Sequence, residues 1–135
     1  MRLQNKVAVI TGGAAGIGLA TVQAFVKEGA SVAIWDVSDK GAAVAEQLKG
    51  SGHNVAFTKV SVTDNDQVLR AMEGAAKQFG KIDILINNAG ILSVETLDNM
   101  DFGAVLEQFK VNALGALRVT HALLGDDVRI DLTPT

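Results

Sequence analysis

Val7-Ala8-Val9-Ile10-Thr11-Gly12-Gly13-Ala14-Ala15-Gly16-Ile17-Gly18 decides the architecture of this chain. An apolar, β-branched run gives way to a glycine-rich turn. The turn opens a helix predicted from about Ile17 to Glu28, with Gly29 as its cap. The same grammar then repeats. Ser31-Val32-Ala33-Ile34-Trp35 reads as a second strand ending at Asp36, and Ser38 as the N-cap of a helix running to about Lys49. Val55 to Val60 makes a third strand, and Thr63 with Asp66 resembles a capping box for a helix that ends near Phe79-Gly80. Ile82 to Ile86 is the fourth strand, and a long helix is expected from about Asp101 to Leu124.

Strands alternating with helices imply parallel pairing with helices on both faces of the sheet. Right-handed crossovers then give an α/β, doubly wound parallel sheet of order 3-2-1-4, with a crevice between strands 1 and 4. Residues 1–124 form one domain in this reading. Residues 125–135 break the pattern: Gly125-Asp126-Asp127 signals a turn, and Val128-Arg129-Ile130-Asp131-Leu132 alternates apolar and charged residues before Pro134. That tail is either a short fifth strand at the sheet edge or a frayed end.

The bulk composition is globular, with 48% hydrophobic and 20% charged residues. A formal charge of -3 offers no basic face for nucleic acid and no polybasic membrane patch. Cys is absent, which excludes disulfides, thiolate zinc sites and cysteine nucleophiles. No metal site is expected. Met1 to Lys6 leads into a run of only four apolar residues, Val7 to Ile10, before the glycine turn, so no secretory signal of usual length is read there, and no stretch is long enough to span a membrane. The expected setting is the cytoplasm.

A glycine-rich turn between strand and helix lets the backbone approach a pyrophosphate and aims the positive end of the helix at it. Asp36 stands eighteen residues past Gly18, at a strand end, where a carboxylate can accept hydrogen bonds from the ribose hydroxyls of a dinucleotide. The same charge repels the extra phosphate of NADP, and no Arg or Lys lies in Gly13-Ala14-Ala15 to neutralise it. NAD is therefore expected over NADP.

Thr11-Gly12 with Gly16 and Gly18, Asp36, Asn87-Asn88-Ala89-Gly90 and Asn112 occur in an order and at spacings that resemble the short-chain dehydrogenase/reductase family, including its 3-oxoacyl-carrier-protein-reductase-like members. The resemblance covers about Lys6 to Leu124 and implies a Rossmann-like, three-layer α/β/α fold. It implies that Gly12 makes the tight turn, Gly16 permits backbone approach and Gly18 lets the helix pack, while Thr11 ties the loop to a neighbouring strand end. Ile17 belongs to the same cofactor-binding set. The backbone of Asn88-Ala89-Gly90 would line the adenosine ribose side, with the Asn side chains bracing neighbouring strands. Ser61-Val62 falls where the family usually has Asp-Val against the adenine. Ser61 departs from that pattern, and its hydroxyl can bond without charge.

The family reaction is hydride transfer between a nicotinamide nucleotide and an alcohol or ketone. Its proton donor is a Tyr in Tyr-x-x-x-Lys, aided by a Ser and a helix-borne Asn. Asn112 matches that Asn. The sequence contains no Tyr, and the family's Ser would be expected beyond Thr135. His53 reads as a solvated turn residue, and His121 lies nine residues after Asn112 in the last helix. A positioned acid contributes about 10² to 10⁴ in rate, so the expectation is a truncated or rearranged member that binds NAD(H) and turns over weakly or not at all alone. The alternatives are an oxidoreductase completed by a second chain and a non-catalytic interaction module. Val105, Leu106, Phe109, Ala113, Ala116, Leu117 and Leu124 give the 101–124 helix more apolar positions than one sheet-facing stripe requires, and self-association through it is expected.

Overall fold

A computed structural model describes residues 1–92 and 96–125. The proposed strand at 128–132 lies outside the described residues. The element order is β1 (Val7–Thr11), α1 (Gly16–Lys27), β2 (Ser31–Asp36), α2 (Lys40–Gly50), β3 (Val55–Lys59), α3 (Asn65–Phe79) and β4 (Ile84–Ile86), followed by a 3-10 turn at Leu97–Asn99. The chain then continues as α4 (Phe102–Phe109), a π-helical segment (Lys110–Gly115) and α5 (Ala116–Leu124). The sheet has the order β3-β2-β1-β4, with all three pairings parallel.

Strand side chains alternate between the two faces, and both faces are covered. Ala8, Ile10, Val32 and Ile34 meet Val22 and Val26 of α1 and Ala45 of α2. Val9, Ala33 and Trp35 meet Val68 and Met72 of α3 and Val119 of α5. Burial on both faces explains why β1 and β2 read as unbroken apolar runs rather than alternating ones. Gly29, at φ 92°, closes α1 as expected: its N–H bonds Val26 O and the Ala30 N–H bonds Phe25 O, so the helix-terminal carbonyls are satisfied. Ser38 Oγ accepts the Lys40 N–H at 3.3 Å, but the N-cap position of α2 falls one residue later than expected, at Asp39, whose side chain makes no cap bond.

Three further local expectations need correction. The cap of α3 is Asp64, not Thr63: Asp64 Oδ1 accepts the Gln67 N–H at 3.1 Å, and Gln67 Oε1 reaches back to the Ser61 N–H at 2.9 Å. Thr63 is instead engaged with the Ser61 hydroxyl at 2.7 Å. The 101–124 helix is not one uniform α-helix, because the π segment interrupts it. Its wider turn brings Gly115 against Val62 while Asn112 bonds the backbone of Ile91.

The third concerns β4, which begins at Ile84 rather than Ile82. Asp83 N–H bonds Val7 O at 2.9 Å, but it is the Asp83 carboxylate that accepts the Val7 N–H, also at 2.9 Å, and Lys81 Nζ lies 3.0 Å from the same oxygen. A side chain thus clasps the start of β1 where a ladder bond would otherwise run. The Val7 N–H and then the Lys81 ammonium hold the Asp83 carboxyl below the usual carboxylate range. A depressed native value stabilises the fold above the ordinary aspartate value of about 3.9, and this contribution is lost as pH falls through the native value. Asp83→Asn, which keeps an acceptor but removes the charge, is expected to lower Tm at pH 7, with the gap closing as the pH drops below about 4. Thermal melts from pH 7 to pH 2 check this; a gap of constant size would show that the charge is not involved.

Candidate functional site

The turn after β1 is anchored from several directions. Thr11 Oγ1 accepts the N–H groups of Asn88 at 3.0 Å and Ala89 at 2.9 Å and lies 3.4 Å from Ile86 O, so it ties the loop to the end of β4. Gly12 N–H bonds Trp35 O at 2.7 Å, and Gly12 O accepts from Asn88 Nδ2 at 3.2 Å. Gly12 and Gly16 have φ of 68° and 57°, the left-handed region in which a side chain is strained. A Cβ on Gly16 would meet nothing within 4 Å, so its backbone is open to approach, whereas one on Gly18 would collide with the Gly12 carbonyl and Asn88.

Ala15 occupies the N-cap of α1 and offers no side-chain acceptor, and the first turn contains no acidic residue. The positive helix end is therefore left for an external anion. Beside it, Asp36 Oδ2 accepts the Ala14 N–H and Oδ1 the Ser38 N–H, both at 3.0 Å. Each carboxylate oxygen retains capacity for another donor.

A cavity of about 290 Å³ opens at the carboxyl ends of β2, β3 and β4. Of the residues singled out in the sequence, Gly12, Asp36, Ser61, Val62, Asn88, Ala89 and Gly90 line it. Thr11, Gly16, Gly18 and Ile17 belong to the adjoining turn, where Ile17 is 80% exposed on the first turn of α1. Asn112 sits behind the wall: its Oδ1 accepts the Ile91 N–H and its Nδ2 donates to Ile91 O, both at 2.8 Å. Asn87 does not brace a neighbouring strand but donates from Nδ2 to Thr120 Oγ1 of α5 at 2.9 Å. Sequence reasoning passed over Val37, Val60 and Ile91, which line the cavity immediately beside residues it did select. Val111 also lines it and is brought there by tertiary structure alone.

A sequence model of the short chain dehydrogenase family matches residues 6–127. The chain belongs to that family. Zerumbone synthase of Zingiber zerumbet is 40% identical over 126 residues, covering 90% of this chain and 47% of that protein. The 3-oxoacyl-[acyl-carrier-protein] reductase of Thermotoga maritima is 38% identical over 128 residues, covering 92% and 51%. The crystal structure of a blue fluorescent protein from a metagenomic library, in complex with NADPH, superposes with a TM-score of 0.84 at 30% identity over 91% of this chain and 51% of that one. The chain thus spans about half the length of the relatives it matches.

Short-chain dehydrogenases bind a nicotinamide dinucleotide, and the residues present fit one. The open backbone at Gly16, the uncapped helix end at Ala15 and the Asp36 carboxylate lie in sequence beside the cavity. Among the described residues, no group of three His, Cys, Asp or Glu could hold a metal, and no helix is long and apolar enough to cross a membrane.

Proposed function

We propose that this chain binds NAD(H), with the pyrophosphate at Gly12–Gly18, the adenosine ribose on Asp36 and the adenine against Ser61-Val62. The backbone of Asn88-Ala89-Gly90 passes beneath the ribose. The observation that carries the reading is Asp36, whose carboxylate both lines the cavity and holds the glycine turn through Ala14. NADPH is bound by the metagenomic relative; here the Asp36 charge favours NAD. The bound nicotinamide would supply or accept hydride from an alcohol or ketone.

In the same reading, residues 1–124 are the nucleotide-binding unit of a cytoplasmic protein, and these 135 residues alone turn over weakly or not at all. Asn112 is the helix-borne Asn of the proton-relay set, and these 135 residues contain no Tyr to act as its proton donor. Calorimetric titration with NADH, and with NADPH as control, tests the assignment. Micromolar NADH binding with much weaker NADPH binding is expected; binding of neither would withdraw it.

A second reading draws on Phe102, Leu106, Phe109, Leu114 and Leu117, which expose large apolar side chains along α4, the π segment and α5. These would carry self-association, or docking of a second chain that completes the catalytic half. A monomer mass independent of concentration in sedimentation equilibrium would count against self-association.

A further inference from the structure

The wall formed by residues 60–62 is fixed at three points by three different elements. Val60 N–H bonds Asp36 O at 3.0 Å, holding the wall to β2. Ser61 N–H bonds Gln67 Oε1 at 2.9 Å, holding it to α3. The third point is Val62 O, which accepts from Arg118 Nη1 of α5 at 2.7 Å. One turn earlier on the same helical stretch, Gly115 lies so close to Val62 that a Cβ there would stand 2.6 Å from Val62 Cγ2. The Arg118 side chain has this carbonyl and no carboxylate as its partner among the described residues. A guanidinium–carbonyl bond is charge-assisted and directional, and so suited to fixing a peptide plane.

We infer that Arg118 is a positioning residue for nucleotide recognition: by holding the Val62 carbonyl it fixes the Val62-Thr63 peptide plane, and with it the backbone on which Ser61 and Val62 face the edge of the purine. The inference rests on the NAD(H) reading above. With the pyrophosphate at the helix end and the ribose on Asp36, the base extends past β2 towards the end of β3, where Ser61 and Val62 line the cavity. The wall offers polar backbone and the Ser61 hydroxyl to a purine edge, and a hydrogen-bonded edge discriminates only if its donors and acceptors are held in place. The same helical stretch also bonds Asn87 through Thr120 and Ile91 through Asn112. Arg118 therefore keeps the purine wall in register with the loop after β4.

The test compares affinities of the full chain for NADH and for reduced nicotinamide hypoxanthine dinucleotide, which differs only at the purine edge. The wild type is expected to favour NADH by about tenfold or more. Arg118→Met keeps the aliphatic stem and removes the donor; it is expected to weaken NADH by about tenfold and to bring the two affinities within about twofold. Arg118→Lys is expected to recover most of the preference. A wild type that binds neither nucleotide sinks the NAD(H) reading itself. A wild type that binds both equally, an Arg118→Met variant that retains the preference, or one that loses both affinities in parallel with its melting temperature overturns the role of Arg118 alone.

Discussion

Gly18→Ala is expected to lower the melting temperature by about 10 °C or more and to abolish NADH binding. A methyl group at this position would overlap the Gly12 carbonyl and stand 2.5 Å from Asn88 Nδ2. Neither neighbour can give way alone. Gly12 is anchored to Trp35 O through its N–H and to Asn88 through its carbonyl, and Asn88 is bonded to Thr11. Shifting the turn therefore breaks the tie between β1 and the end of β4 as well as the helix–turn contact. Overpacking of this kind costs about 3 kcal/mol, which for a domain of this size corresponds to the stated loss. Gly74→Ala is the control. Gly74 lies in α3 with nothing within 4 Å of a Cβ, so alanine there gains about 0.5–1 kcal/mol of helix propensity. Differential scanning fluorimetry on both variants gives the comparison. A Gly18→Ala melting point within a few degrees of wild type would show that helix–turn contact at Gly18 is not a packing constraint.

The sheet was legible because its central strands β1 and β2 are covered on both faces, so that apolar runs such as Val7 to Ile10 stand out, and the strand order follows from handedness. The glycine turn was legible because its backbone demands leave few residue choices. What escaped notice depends on contacts across long separations. The π segment has no periodicity signature of its own; it is recorded in Gly115 against Val62 and Asn112 on Ile91. The shortening of β4 turns on one carboxylate replacing a ladder acceptor at Val7. Thr63 and Asp64 are both acceptable caps by residue type, and the reach of Gln67 to Ser61 decides between them. Arg118 reads on its own as a solvated helix charge, and only the fold places it under the carbonyl of Val62.

Asp36→Asn is expected to shift the ratio of NADH to NADPH affinity by about 100-fold, equivalent to about 2.7 kcal/mol. Two effects shift the ratio in the same direction. The amide loses the charge that strengthens hydrogen bonds from the ribose hydroxyls, which weakens NADH by about tenfold. It also loses the repulsion between a carboxylate and the extra phosphate of NADPH. At about 5 Å and an effective dielectric constant of about 20 that repulsion reaches about 3 kcal/mol per unit charge pair, and solvent at this half-buried position reduces it to about half, enough for a tenfold gain. The asparagine carbonyl oxygen can replace only one of the two carboxylate acceptors: kept on the Ala14 N–H it preserves the anchor of the glycine turn, while the bond from the Ser38 N–H is lost. Salt separates the two contributions. Raising ionic strength should improve NADPH binding to the wild type, because it screens the Asp36 charge, and should have a smaller effect of that kind on the variant. Titrations of both proteins with both nucleotides at low and high salt read all of these quantities. An unchanged ratio, or a wild type that already prefers NADPH, would remove Asp36 as the selecting group and leave the neighbouring Val37, which is 62% exposed beside it, as the next residue to vary.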